Sequence, residues 1–321
     1  MSSAKFWLIW PLSVAAVGVF FTASGLAWPP KFGTELTFTN PQIIEATKNT
    51  PFRVNPPPVD EARLKMVAEV ERRCPDCKVT YEKNRYGVNV ARFERPDGFW
   101  FKVATDPSVV EVQLKPGTLA EYEAQAGIVQ SLVFDAAKAV GLEPHPRAGG
   151  GHIHFDLAAC FNNDLRVLRN FLVDMANHPE LAEGVFDKDV LNAPHLSRLP
   201  RENAEFFRLI IEEIDNASVK TITEFADMMT KEVYSTNPGQ INNAAKYQMI
   251  NLLYLLFKPC NVECQTVVVR SHRAHASMAQ FLKILELYEA RLGFLRKDGL
   301  LELKPIAEAN YSHQGLVDRF R

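Results

Sequence analysis

Two histidines and an aspartate alternate along one short segment of the chain, Gly149-Gly-Gly-His-Ile-His-Phe-Asp156. Residues two apart share one face of a β-strand, so the side chains of His152, His154 and Asp156 are predicted to lie together. Imidazoles and carboxylates bind metals and phosphates, and they are costly to bury without partners. The spacing therefore predicts a functional cavity on this face, with an ordinary solvated sheet face as the alternative. The preceding glycines allow close approach of the backbone to a ligand.

Two other predicted strands have the same alternating character. Glu111 and Gln113 share one face of the strand predicted at 109–114. Arg270 and His272 share one face of the last predicted strand with Val268. Each of these strands thus has an apolar side for a core and a side that carries ionisable groups.

The pattern of elements predicts the fold class. Strands are predicted at 78–82, 86–93, 99–104, 109–114, 152–157 and 265–271, and helices at about 60–73, 118–141, 164–177, 202–215, 221–233, 242–257 and 276–293. Thr118 and Glu121 form a capping-box pattern at the start of the second helix, and Gly141 is a typical stop. This order predicts an α+β fold with a mainly antiparallel sheet packed against helices.

Composition excludes several classes of protein. The chain has 321 residues, of which 47% are hydrophobic and 23% are charged, so it is not a disordered chain. The formal net charge of -2 argues against a nucleic acid as the main partner. After the N-terminus, no apolar run is long enough to span a bilayer, which excludes a polytopic membrane protein.

The N-terminal segment is typical of export. Lys5 precedes an apolar stretch, and Gly25-Leu-Ala27 fits a small-x-small cleavage site. Residues 1–27 are therefore predicted to be a signal peptide or an uncleaved anchor, which would be the only membrane contact, and the body is expected to be periplasmic or extracellular. Eight of the 20 prolines fall in the first sixty residues, so 28–60 is predicted to be a Pro-rich tether before a domain at 61–321.

The five cysteines also suit an oxidising compartment. Cys74 and Cys77 form one close pair, Cys260 and Cys264 another, and Cys160 is left over. Disulfides are the favoured interpretation, ahead of a zinc site built from both pairs and of a redox motif.

Five segments of the chain together resemble a known family. They are Tyr86-Gly-Val-Asn-Val-Ala-Arg-Phe93, Asp106-Pro-Ser-Val-Val-Glu-Val-Gln-Leu-Lys-Pro116, Gly151-His-Ile-His-Phe-Asp156, Tyr247-Gln-Met-Ile-Asn251 and Thr266-Val-Val-Val-Arg270. In order and spacing they resemble the amidoligases of the carboxylate–amine ligase superfamily, which includes glutamine synthetase and glutamate–cysteine ligase. The resemblance implies a glutamine synthetase catalytic-domain-like fold, in which the site lies on the concave polar face of the sheet.

The resemblance also implies an activity and roles for particular residues. Family members use ATP and a divalent metal such as Mg²⁺ to phosphorylate a carboxylate, which an amine then attacks to give an amide. Carried over, Glu111 and His152 would be metal ligands, with Asp156 as a further candidate. His152 and Arg270 would act on the phosphoryl group, and His154 and Arg270 would hold the nucleotide or the substrate.

The sequence departs from the family at three positions, where Asn89, Ala91 and Val268 replace acidic residues. Neutral and apolar side chains do not hold hard divalent cations. One alternative is therefore an exported, non-catalytic binding protein for a peptide or an amino-acid-like small molecule. A second is a zinc-dependent hydrolase that uses His152, His154 and Asp156 and needs no ATP.

Overall fold

The computed structural model describes residues 29–51, 54–84, 87–145, 148–178, 210–216, 219–229, 235–237, 240–241, 250–255, 265–297 and 299–303. The predicted signal peptide or anchor, as well as the pair Cys260 and Cys264, lies outside these residues. Among the helices of the described ranges, none is long and apolar enough to cross a membrane.

The fold is α+β, and its main element is an eight-stranded antiparallel sheet. Its strands in chain order are β1 Phe32–Phe38, β2 Lys78–Lys83, β3 Asn89–Glu94, β4 Trp100–Asp106, β5 Val109–Gly117, β6 His152–Asp156, β9 Ile250–Asn251 and β10 Thr266–Val269. Across the sheet they lie in the order β2-β3-β4-β5-β1-β6-β10-β9. A separate pair of short strands comprises β7 Ser235–Asn237 and β8 Gln240–Ile241. The predicted fold class, an antiparallel sheet packed with helices, is confirmed.

Helices pack against the apolar side of this sheet. The helices of the described residues include α1 Pro41–Lys48, α2 Pro57–Arg73, α3 Leu119–Val129, α4 Asp135–Ala139, α5 Leu157–Phe161, α6 Leu165–Asn177, α7 Ile222–Met228 and α8 Met278–Leu295. The ring of Phe155 on β6 contacts Phe171 of α6 and Tyr288 of α8, and all three side chains are fully buried. The core therefore lies between the helices and one face of the sheet, which leaves the other face for polar groups.

The tether predicted at 28–60 is a wrong prediction, because this segment contains β1, α1 and the start of α2. Strand β1 is inserted between β5 and β6 in the middle of the sheet. Pro41 occupies the first turn of α1, and Pro57 and Pro58 occupy the first turn of α2, instead of an extended linker. Proline is favoured there, because the first turn of a helix has no intrahelical use for its missing N–H.

The helix predicted at 118–141 begins as expected, since Thr118 and Glu121 cap each other at the start of α3. A π-helical turn at Gln130–Phe134 joins α3 to α4.

The helix predicted at 242–257 is wrong over 250–255, where β9 pairs with β10 and a 3-10 turn follows at Leu253–Leu255. Sheet pairing has overridden local helical propensity there.

Candidate functional site

Glu35 of β1 connects the two histidines that the strand pattern singled out. Its carboxylate oxygens lie 2.5 Å from Nδ1 of His152 and 3.1 Å from Nε2 of His154. Glu35 is paired directly with His152 across the β1–β6 ladder, and Gly33 with His154. The three side chains therefore share one sheet face, as predicted for the two imidazoles, and all are mostly buried.

The charge state of this cluster follows from its contacts. Burial would raise the pKa of Glu35, but the interactions with His152 and His154 outweigh burial and hold it well below the ordinary value. An ionised carboxylate only accepts hydrogen bonds, so both imidazole nitrogens that face it must donate. The other ring nitrogen of His154, Nδ1, lies 3.3 Å from the hydroxyl oxygen of Thr266.

His152 keeps one ring nitrogen for other chemistry. Burial and the positive charge of Arg270 lower the pKa of His152 to about 4, although Glu35 acts in the opposite direction. The ring is thus neutral at pH 7, with its hydrogen on Nδ1 and a lone pair on Nε2. A neutral imidazole whose other nitrogen donates to a carboxylate is a common form of metal-ligating histidine.

Glu111 of β5 lies close to this cluster on the same polar face. It is directly paired with Thr37 of β1, two residues along the strand from Glu35. Burial, followed by the negative charges of Glu35 and Asp106, raises the pKa of Glu111 well above its ordinary value. Gln113 donates a 2.7 Å hydrogen bond to Glu111. Carboxylates gathered in this way would be stabilised by a bound cation.

Arg270 directly follows β10 and lies near the end of β6 that carries His152. Its positive charge acts to lower the pKa of both Glu111 and His152. Its side chain is half-buried. The structure therefore brings together four of the predicted site residues on one face: Glu111, His152, His154 and Arg270.

Asp156, the fifth predicted site residue, has a different contact. Its side chain accepts a 2.6 Å hydrogen bond from the backbone N–H of Ala159 and caps α5. Such caps contribute about 1 kcal/mol to helix stability. Asp156 is paired with Thr266 at the far end of β6 from His152, so this carboxylate has a structural role that needs no metal.

His272 does not extend the polar face beyond Arg270. Strand β10 ends at Val269, so the alternation that placed His272 beside Arg270 does not reach it. Its Nε2 lies 2.8 Å from the hydroxyl of Tyr288 on α8, within the helical core. His275 is buried next to it, with ring centroids 6.2 Å apart. Burial lowers the pKa of His272 to about 3 and that of His275 to about 4.

The glycine run before His152 allows three tight contacts. Gly149 has a φ of +74°, and an added Cβ there would lie 2.3 Å from the Thr37 hydroxyl. A Cβ on Gly150 would lie 2.7 Å from Nε2 of His152, and one on Gly151 would lie 2.3 Å from the Arg273 carbonyl oxygen. The glycines are thus needed so that this loop can pack against the rest of the protein. This role is separate from the predicted close approach of the backbone to a ligand.

Replacing Gly151 by alanine is expected to destabilise the fold by about 2 kcal/mol or more, because backbone atoms of residue 273 cannot move aside cheaply. Gly127 provides a matched control, since an added Cβ on this α3 residue meets nothing within 4 Å. Gly127→Ala is expected to stabilise the helix by about 0.5–1 kcal/mol. Urea unfolding of both variants measures these changes, and equal stability of the two would contradict the packing argument.

The donor set of the polar face fits magnesium better than zinc. Zinc sites need three or four protein ligands around one point. Within the described part of the chain, the set of three ligand atoms within 4.8 Å of one another is Cys74, Asp76 and Cys77, and it includes no residue of this face. Those two cysteines form a disulfide, as the favoured interpretation of the pair expected. Magnesium is commonly held by one or two carboxylates together with substrate phosphates. Glu111 can supply such a carboxylate.

Sequence reasoning missed Glu35 because proline content dominated the interpretation of its segment. A usable signal is present in Phe32-Gly-Thr-Glu-Leu-Thr-Phe38. Phe32, Leu36 and Phe38 are buried on one side of β1, while Glu35 and Thr37 face the histidine strand. This period of two is typical of a half-buried strand.

Comparison with known proteins gives only a distant structural likeness. No protein-family model matches the chain, and no curated protein matches it. A solved GmaS/ADP complex is similar in structure, with a TM-score of 0.39 and 13% sequence identity. The match covers 91% of this chain and 60% of that one, so the chain spans about three-fifths of the length of the GmaS protein.

Proposed function

We propose that this chain is an ATP-dependent carboxylate–amine ligase of the amidoligase kind, which forms an amide bond through an activated carboxylate. The observation that carries the proposal is the meeting of Glu35, Glu111, His152 and Arg270 on one polar sheet face. Phosphoryl transfer to a carboxylate concentrates negative charge. A site for this reaction therefore needs metal ligands and a cation close together.

Each residue has a role that its contacts support. Glu111 would hold Mg²⁺ through carboxylate oxygen, and Nε2 of His152 would contribute a neutral donor beside it. The Arg270 guanidinium would bind phosphoryl oxygens through charge-assisted hydrogen bonds. Glu35 would orient His152 and His154 rather than contact the metal, since both of its oxygens already accept from imidazoles. The bound metal and ATP would supply charge neutralisation and the phosphoryl group.

The acidic first strand that the resemblance implies fits β1 better than the segment 86–93. The family pattern has two alternating acidic residues on this strand. In β1, Glu35 occupies one such position on the polar face, and Thr37, two residues later, occupies the other. With this assignment the neutral Asn89 and Ala91 no longer count against the ligase proposal, whereas Thr37 and Val268 still replace acidic residues.

A binding protein for peptides or amino-acid-like small molecules is the alternative. The fully buried, apolar Val268 opposite His154 favours it, because the family carries a glutamate there. The predicted export of the chain favours it too, since ATP is not normally supplied outside the cytoplasm. In this case Arg270 would bind a ligand carboxylate.

Calorimetric titration of the full chain with ATP and magnesium tests the proposal. We expect saturable binding that Glu111→Gln weakens by roughly 10-fold or more, because a metal-ligating carboxylate is lost. Glu123→Gln is the matched control, because Glu123 is an exposed residue of α3. Absence of MgATP binding to the folded wild-type chain would overturn the ligase proposal. Binding of peptides without any nucleotide would then support the alternative.

A further inference from the structure

Thr37 makes an unusually complete set of contacts with the loop before His152. Its hydroxyl donates a 2.9 Å hydrogen bond to the carbonyl oxygen of Gly150 and accepts a 3.0 Å hydrogen bond from the N–H of the same residue. The Thr37 side chain is 3% exposed, and both hydrogen bonds are buried. One side chain therefore satisfies both polar groups of a buried backbone residue, which would otherwise lack partners in this irregular segment.

The Gly150 residue in turn contacts the ring of His152. An ideal Cβ on Gly150 would lie 2.7 Å from Nε2 and 3.0 Å from Cδ2 of His152, so the ring edge that carries Nε2 lies close against the Gly150 backbone. Glu35 holds the opposite ring nitrogen, Nδ1. Glu35 and Thr37, two positions apart on the same face of β1, thus constrain the two sides of one imidazole. Glu35 contacts the ring directly, and Thr37 acts through the Gly150 backbone.

Gly151, the next residue of this loop, has contacts of its own, one of them a hydrogen bond with the side chain of His275 and another with a backbone group. The N–H of Gly151 donates a 2.9 Å hydrogen bond to the carbonyl oxygen of His272. Substitution of a side chain cannot remove that contact. The hydroxyl of Thr37 is the contact that a conservative substitution can delete while the shape of the side chain is kept.

We propose that Thr37 is a positioning residue, which orients His152 Nε2 toward the bound metal or phosphate by fixing the Gly150 backbone. The inference rests on the proposed function for its effect on nucleotide binding, but its effect on the His152 ring does not depend on any activity. Valine in place of Thr37 removes both hydrogen bonds at nearly constant volume, and serine keeps the hydroxyl.

The experiment compares the full-length wild type, Thr37→Val and Thr37→Ser. The ring nitrogens of His152 are observed by proton–nitrogen correlation NMR, and their signals are assigned by comparison with His152→Gln. We expect the wild type and Thr37→Ser to share one tautomer, with hydrogen on Nδ1, and Thr37→Val to show altered His152 nitrogen shifts. We also expect Thr37→Val to weaken MgATP binding by roughly 10-fold, as misplacement of a ligand does. Thr37→Ser should restore it to near the wild-type value.

The outcomes separate the inference from the proposed function. Altered His152 signals in Thr37→Val, in a chain that binds no MgATP, would support the positioning role and overturn only the ligase proposal. Unchanged His152 signals in a folded Thr37→Val chain would overturn the positioning role. If Thr37→Val does not fold, Thr37→Ala is measured in its place under the same criteria. Altered His152 signals in Thr37→Ser would also contradict the inference, because serine keeps the hydroxyl.

Discussion

Replacing Glu35 by glutamine is expected to weaken MgATP binding by roughly 10–100-fold, the usual effect of losing a residue that orients a metal ligand. Glutamine offers one acceptor oxygen and one NH2 donor in place of two acceptor oxygens. Because the two imidazoles face different oxygens of Glu35, one of them would face the NH2 group of glutamine, which cannot accept its hydrogen bond. The imidazole left facing the NH2 group must change its tautomer or its orientation, so the nitrogen available to a ligand is no longer fixed.

The measurement is the calorimetric titration of MgATP into Glu35→Gln and into Glu45→Gln. Glu45 lies on the exposed surface of α1, ten residues along the chain, and forms an ion pair there with Lys48. Its variant is expected to bind like the wild type. Glu35→Ala should in addition lose about 1–3 kcal/mol of stability, since buried imidazole N–H groups lose their acceptor. Unchanged binding in Glu35→Gln would contradict the role of Glu35 as the connector of the two histidines.

Acidification is expected to destabilise the protein strongly between about pH 6.5 and pH 4, where the buried histidines become protonated only after unfolding. The pKa values of His152, His272 and His275 are lowered from 6.5 to about 4, 3 and 4. In this window the unfolded chain binds more protons than the folded chain, so the free energy of unfolding falls as pH falls. Each such histidine accounts for up to about 3 kcal/mol, a large part of a typical total stability.

Two carboxylates modify this profile in opposite ways. The pKa of Glu35 is lowered, so its stabilising contribution is lost as pH falls through its folded value, which adds to acid destabilisation. The pKa of Glu111 is raised, so its protonation relieves a cost as pH falls toward 4.5, which opposes the destabilisation. Three histidines outnumber the one opposing carboxylate, and the net direction is loss of stability.

Urea unfolding midpoints measured from pH 7.5 to pH 4.5 test this prediction. The midpoint of the wild type should fall steeply below pH 6.5. In His275→Gln the slope should be smaller by up to one proton, because glutamine does not titrate. A wild-type midpoint that stays constant from pH 6.5 to pH 5 would show that these imidazoles are not held neutral by burial.

Much of the fold and part of the site could be predicted from local pattern. The alternation in Gly151-His-Ile-His-Phe-Asp156 predicted a strand with its imidazoles on one face, and β6 has that arrangement. The capping box at Thr118 likewise marked the start of α3. These features depend on residues only a few positions apart, and strand and helix geometry alone relates them.

The sequence by itself thus determined the α+β class, the polar face of β6 and the polar side of the strand that carries Glu111. Only the tertiary structure decided that β1 enters the sheet between β5 and β6, and so that Glu35 reaches His152, and Thr37 reaches Gly150, across more than a hundred residues. It also decided that Asp156 caps a helix and that His272 turns into the core. The physical reason is that strand order and the ends of strands are set by long-range pairing and burial, which no local spacing records.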